Sequence, residues 1–363
     1  MRRLKIGLCL SPSWLRGDTW RRPDSRVEEL FTADFHVDVT RLAEAAHLDF
    51  VFKPDALLLD PRALEEGPGL SSLEPLVLMG LLAAHTRHIG LIASVSAAYA
   101  QPYTVARQLQ SLDLVSGGRA GWNVMASLGG ADNYGNVRRP QDPQANASDF
   151  IEVVESLRQS FPADALRMDR ATGQFADVRR IRRVSQIGRY ASAGPLTTPA
   201  RDERRLPLLH AGAAPGAEGF AARHAAAVFV MQPDAETGLA QVRGLDDAAD
   251  SLGRPRRPLV LPGLSVCLAD TREAAQALAG RADLVPRAGK ARHWSIVGTV
   301  ADAVNAIVER ARSGAIDGLI ALPAGSWQSL ELFTTQVVPA LAAVGLFRED
   351  YSGSTLAEHL AEY

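Results

Sequence analysis

Two hydrophobic patterns alternate along the chain. Short, nearly unbroken apolar runs occur at Ile6–Leu10, Phe50–Phe52, Ile89–Ser94, Ala120–Met125, Leu206–Ala211, Ala226–Val230, Val260–Cys267 and Gly318–Leu322. Runs of this length without alternation suit strands buried on both faces. Between them, apolar residues recur every three or four positions over Asp38–Ala46, Leu73–Thr86, Thr104–Val115, Ser148–Ser160, Gly216–His224, Ala235–Leu252, Arg272–Ala282, Val300–Ser313 and Ser329–Val344. That spacing predicts amphipathic helices. Strands separated by helices pair in parallel, because a parallel crossover needs a dozen or more residues. Eight such units predict an α/β fold, a closed (β/α)8 TIM barrel, as one domain over residues 1–363. The alternative is an open doubly wound sheet, but no strand leads into the G-x-G-x-x-G turn that would favour it.

Two segments break the rhythm. Gly129–Asn146 is rich in Gly, Asn, Pro and Gln, and Arg167–Arg205 scatters arginine, glycine and proline without period. Both fall between the fourth and fifth strands, so they are expected to cover one side of the barrel mouth.

Composition removes several classes. Lys and Arg number 39 against 41 Asp and Glu, and the signs are interspersed, which does not build the concentrated positive face that nucleic acid requires. No stretch approaches the roughly 18 apolar residues of a membrane span. The chain runs from Met1 straight into a strand pattern with no apolar signal segment, so a cytoplasmic location is expected. Cys9 and Cys267 lie far apart in separate strands and read as buried free thiols.

The candidate chemistry is defined largely by absence. There is no Walker A loop, C-x-x-C pair, H-E-x-x-H or G-x-S-x-G. His85 and His88 are spaced for a metal, but the last turn of a helix accommodates cations without one. Asp55 is the only carboxylate at the end of an early strand, which leaves a paired-carboxylate hydrolase without its second group. Strand ends offer neutral polar residues instead: Ser94, Ser96, Asn123, Ser127 and His210. Such a rim suits a large polar cofactor that carries its own reactivity.

One block of sequence is more specific. It runs from Leu73-Glu74-Pro75-Leu76 through Thr86-Arg87-His88-Ile89-Gly90-Leu91, Gln101-Pro102-Tyr103-Thr104-Val105-Ala106-Arg107 and Ser111-Leu112-Asp113 to Ser116-Gly117-Gly118-Arg119-Ala120-Gly121-Trp122-Asn123. Trp20-Arg21-Arg22-Pro23, Gly194-Pro195-Leu196, Val297-Gly298-Thr299, Gly345-Leu346-Phe347-Arg348 and Tyr351-Ser352-Gly353-Ser354-Thr355-Leu356 extend it over nearly the whole chain. These residues resemble the nitrilotriacetate and dibenzothiophene-sulfone monooxygenase branch of the bacterial luciferase-like superfamily.

The resemblance implies a barrel that binds reduced FMN (FMNH2) at the C-terminal ends of its strands. With O2, it would oxygenate a small organic or secondary-metabolite-like substrate. A transient partner, an NAD(P)H-dependent flavin reductase, would supply the reduced flavin, and a homodimer or homotetramer is the expected assembly. Asp55 stands at the place of the family's A-D-x-L aspartate, although an Asp there also caps a turn. Asn123 lies inside the strongest motif, where its amide suits the flavin ring's carbonyl and nitrogen edge or a structural role in the core. Ser94 and Ser127 match family Thr/Ser positions and also suit the satisfying of local backbone groups. His210 takes the place of a family glutamine and is the one titratable candidate near neutrality, a core histidine being the alternative. Gly212, Ala213 and Ala214 would offer backbone N–H groups to the phosphate at a helix start.

The family's serines there are replaced by Ala213 and Ala214, followed by Pro215, and its His and Tyr in the earlier loop by Arg138–Gln144. Arg138 or Arg139 then offers phosphate charge, with solvated loop arginines as the equal alternative. Lys53 and Pro54 replace small residues, and the family's insertion after the seventh strand is shortened to Arg281–Trp294. Two other readings stay open. One is a barrel with a degenerate flavin site that serves as a binding or partner subunit. The other is a flavin or deazaflavin oxidoreductase of the same superfamily.

Overall fold

Eight parallel strands close on themselves in the computed structural model, which describes residues 3–126, 129–135, 140–184, 189–211, 216–284 and 292–361. They are β1 (Lys5–Cys9), β2 (Phe50–Lys53), β3 (Gly90–Ser96), β4 (Ala120–Met125), β5 (Leu208–Ala211), β6 (Ala227–Val230), β7 (Leu259–Leu268) and β8 (Gly318–Pro323). Each pairs with its chain neighbour, and β8 returns to β1 through Lys5 opposite Gly318. The predicted (β/α)8 barrel is present, with every predicted strand in place.

The outer helices follow the predicted pattern, and several start on side-chain caps. Thr32 accepts from the Phe35 amide, Glu74 from Val77, Asp142 from Gln144 and Ala145, and Asp234 from Thr237. Each cap satisfies a backbone donor that the first turn leaves open. Features beyond the predicted elements include the following two. The final long helix contains a π-helical turn at Phe333–Val337 between α-helical halves Trp327–Leu332 and Val338–Ala343. A ninth strand, Trp294–Gly298, runs parallel to the upper half of β7, with Trp294 opposite Leu264. Its buried and exposed residues alternate, so it is half covered. Five such residues inside a stretch without other pattern read as loop in the sequence.

Alternation along the strands divides the core in two. Val51, Leu91, Val124, Val228 and Leu264 face the helices. Phe50, Phe52, Ile92, Leu209, Ala227, Leu261, Ile320 and Leu322 fill the barrel interior. The floor is closed by the terminal helix Leu356–Ala361. Leu356 sits over Gly90 and Gly121, where any Cβ would overlap its methyl groups. Beneath the same end, the buried Arg348 guanidinium pairs with Asp49, whose second oxygen accepts the Ile6 amide at 2.7 Å. Lys5 Nζ donates to the His359 carbonyl at 2.7 Å. With the floor packed shut, the barrel interior opens only at the C-terminal ends of the strands, where such barrels carry their sites.

The excursions between β4 and β5 cover that end. Tyr134 stacks on Tyr99 just past β3, centroids 4.6 Å apart, and Asn133 Nδ2 donates to the Leu57 carbonyl at 2.7 Å. Farther along, the Tyr190 hydroxyl shares its one proton between the Ala97 carbonyl and Asn146 Oδ1, both at 2.8 Å. Leu166–Asp169 and Gln174–Ala176 form a small antiparallel hairpin within the second excursion.

Candidate active site at the barrel mouth

Above Ile92 and Leu209 the interior turns polar. Ser94 and Asn123 are paired across β3 and β4 and both are buried. Asn123 Nδ2 donates to Ser94 Oγ at 2.9 Å, and its Oδ1 accepts the Ala211 amide of β5 at 3.0 Å. One side chain therefore ties three strand ends together. One turn of the pleat higher, the Ser96 hydroxyl is buried with no partner among the described residues. A buried hydroxyl left unpaired costs about 1–3 kcal/mol, so its presence calls for a ligand or ordered water.

On the β1–β2 side the mouth opens into a cavity of about 1010 Å³. Segments after β1 and β2 and the turn at 282–284 line it, with Arg16, Trp20, Lys53 and Asp55 among them. Asp55 Oδ1 accepts the neighbouring Ala56 amide at 2.9 Å. Burial, with the nearby Glu74 charge in the same direction, raises its carboxyl above the ordinary range. Lys53 is 2% exposed, and burial lowers its ammonium pKa.

His210 is placed differently from what a ring contact requires. Its neighbour Leu209 faces the interior, so alternation turns His210 toward the helices. Its ring lies 4.8 Å from that of Phe220, and burial lowers its pKa. We assign it no proton-transfer role. Ser127, Arg138, Arg139, Gly212, Ala213 and Ala214 lie outside the described residues. His88, past the helix end, stacks on Tyr351 with centroids 5.0 Å apart. Among the described residues no group of three His, Cys, Asp or Glu gathers in a way that could hold a metal.

The structure adds a residue that the sequence did not single out. His293 enters between the tops of β6 and β7, just before the ninth strand. Its ring stacks on the interior Phe229 at 5.3 Å and occupies the space where a Cβ on Gly263 would be. Nδ1 has no partner among the described residues. The only signal for it was the ninth strand, which would have carried the position to the mouth.

Burial holds both His293 and the helix-facing His36 down to about 4, so both are neutral at pH 7. A histidine whose folded pKa lies below its unfolded value near 6.5 loses stability as pH falls from there toward 4, because only the unfolded chain takes up the proton. For the 3%-exposed His36, the expected slope is up to about 1.4 kcal/mol per pH unit. Denaturant unfolding of wild type and His36→Gln between pH 7 and 4.5 checks this, since the variant should show the flatter curve.

A (β/α)8 barrel with a packed floor, a neutral hydrogen-bonding row at its mouth and a roomy adjoining cavity belongs to the class that binds a large organic cofactor beside a substrate. The family model for luciferase-like monooxygenases matches residues 15–343. N-acetyl-S-(2-succino)cysteine monooxygenase of Bacillus subtilis is 28% identical, covering 99% of this chain and 96% of the relative. Dibenzothiophene-sulfone monooxygenase of Rhodococcus erythropolis (94% and 92% covered) and nitrilotriacetate monooxygenase component A of Aminobacter aminovorans (99% and 96%) are each 28% identical. The crystal structure of a riboflavin lyase, RcaE, superimposes with a TM-score of 0.87 at 25% identity, covering 99% of this chain and 96% of that one.

The chain belongs to the luciferase-like monooxygenase family, in the branch that includes the nitrilotriacetate and dibenzothiophene-sulfone enzymes. It is an oxidoreductase of the monooxygenase type, in a family that works with a flavin and O2. Among the described residues no helix is long and apolar enough to cross a membrane.

Proposed function

We propose that the chain is the oxygenating component of a two-component FMN-dependent monooxygenase. A separate NAD(P)H-dependent flavin reductase would supply the reduced FMN, and the substrate is a small organic molecule. The observation that carries this reading is the unpartnered buried hydroxyl of Ser96 above the Ser94–Asn123–Ala211 row. This donor set fits the carbonyl and nitrogen edge of an isoalloxazine: hydroxyls and amides that donate and accept without adding charge. Reduced flavin, when bound, supplies the electrons that activate O2. The chain's own residues then have three tasks. Ser94, Ser96 and Asn123 hold the ring, the loops around Tyr99, Tyr134 and Tyr190 exclude water, and the cavity beside Lys53 and Asp55 positions the substrate.

Backbone groups of 212–214 and the guanidinium groups of Arg138 and Arg139 are the proposed phosphate contacts. Because Ala213 and Ala214 replace phosphate-binding serines, a barrel that binds no flavin and acts as a partner subunit is the competing reading.

Anaerobic titration with reduced FMN, followed by protein fluorescence quenching, separates the two. Saturable binding supports the oxygenase, whereas none at millimolar concentration supports the partner subunit. Ser96→Ala is expected to weaken reduced FMN about 5- to 30-fold, the equivalent of about 1–2 kcal/mol. The same change should leave the melting temperature unlowered, because the hydroxyl holds no described group in place. Equal affinity in the two proteins would remove Ser96 from the site.

A further inference from the structure

We propose that His293 orients the substrate, its ring N–H at Nε2 donating to an uncharged oxygen acceptor such as a carbonyl or hydroxyl. The assignment to the substrate rests on reading the mouth as the site of a flavin-dependent oxygenase. The position of the ring follows from a seam in the barrel wall. β6 pairs with β7 over Leu259–Pro262, and from Leu264 upward the ninth strand takes its place. Gly263 lies at the handover. Leu261 fills the interior, so alternation turns Gly263 inward as well. A Cβ there would come within 2.2 Å of His293 Nδ1. The imidazole thus enters at the seam and fills the place of the missing side chain. One face of the ring lies against Phe229, with the two planes 17° apart.

The surroundings fix which nitrogen carries the proton. His293 is partly exposed although it lies inside a barrel with a closed floor, so its accessible edge faces the mouth. Nδ1 is enclosed and has no partner among the described residues, whereas Nε2 is not enclosed. A neutral imidazole has one N–H. Placed on Nδ1, that proton would be a buried donor without an acceptor, which is unfavourable. It therefore belongs on Nε2, the nitrogen at the open edge. Burial and the positive charge of Arg16 hold the ring's pKa at about 4, so the donor is uncharged at pH 7.

A flavin carbonyl offers the same acceptor chemistry, but position assigns the donor to the substrate. β3 and β7 are four strands apart in the closed order of eight, so His293 faces the Ser94–Asn123 row from across the mouth. A flavin ring held at that row leaves the β7 side for a second ligand. Arg16, whose charge acts on His293, also lines the 1010 Å³ cavity. Above the imidazole, Ser265 of β7 and Ser295 of the ninth strand stand opposite each other, and neither is buried. Their hydroxyls add hydrogen bonds without adding charge.

The test uses acetophenone and α-methylstyrene, which differ only in an oxygen for a methylene group. Each is titrated anaerobically, with and without reduced FMN, into wild type, His293→Gln and His293→Phe, and followed by ligand NMR. His293→Phe keeps a flat ring over Gly263 and against Phe229 but has no donor; His293→Gln keeps an N–H. The ketone-to-alkene affinity ratio is expected to fall about 3- to 10-fold in His293→Phe, the range of one neutral hydrogen bond. His293→Gln should keep part of it, and the affinity for reduced FMN should be unchanged in both. Long-range 1H–15N spectra of histidine-labelled wild type at pH 7 should place the His293 proton on Nε2, the signal being assigned by its loss in His293→Gln.

Equal ratios in wild type and His293→Phe overturn the proposal, and so does a proton on Nδ1. Weaker binding of reduced FMN by His293→Phe with the ketone ratio intact also overturns it, by giving the donor to the flavin. Should His293→Phe fail to fold, or neither probe bind, the tautomer in wild type decides. A wild type that binds no reduced FMN but keeps its ketone ratio would remove the oxygenase reading while leaving His293 its role.

Discussion

Arg348→Met is expected to destabilise the barrel by about 3–5 kcal/mol, the range for removing one partner of a buried ion pair. Arg348 and Asp49 are 3% and 0% exposed, so the substitution strands a carboxylate in the floor of the barrel. Asp49 also receives the Ile6 amide, which ties the start of β1 to the residue that leads into β2. The double variant Arg348→Met, Asp49→Leu should recover part of the loss, because the orphaned charge is gone. Denaturant midpoints at pH 7 provide the measurement. A single-variant loss below about 1 kcal/mol would show that water reaches the pair.

Asn123→Leu is the second large effect and the more informative one for function. The leucine deprives the Ala211 amide of its acceptor and Ser94 Oγ of its donor, both in the buried mouth. Affinity for reduced FMN is expected to fall about 5- to 150-fold, equivalent to about 1–3 kcal/mol, with a stability loss of similar size. A folded variant that binds reduced FMN as tightly as wild type would show that the flavin ring does not use this row.

The barrel was legible because every interior strand is a dense apolar run set between helices with sharp caps. The Ser116–Asn123 block is the most distinctive stretch of the sequence, and the structure explains why. Much of it is architecture. Gly117 and Gly118 take positive φ where the preceding helix ends. Arg119 caps another helix through the carbonyls of Ala83 and Thr86 at 3.0 and 3.1 Å and also donates to Thr86 Oγ1. Gly121 makes room for Leu356. Only Asn123 reaches the mouth.

What could not be read was the direction of single side chains. His210 sits at a strand end, as expected, but a one-residue step along the pleat turns it toward the helices. His293 stands outside any strong pattern and reaches the interior only because an unpredicted strand delivers it. Lys53 was visible merely as a departure from related sequences. Its burial beside a cavity is a tertiary fact that no local periodicity encodes.

The leucine that closes the lower end has a consequence for biogenesis. Gly90 and Gly121 leave a socket that their own strands cannot fill, and the side chain that fills it comes more than 230 residues after either glycine. On the ribosome, the first four strands emerge with this hollow unfilled, so native packing waits for synthesis to be nearly complete. Fragments that stop short of Leu356 should therefore behave as loosely ordered, chaperone-dependent chains, even if they retain all eight strands.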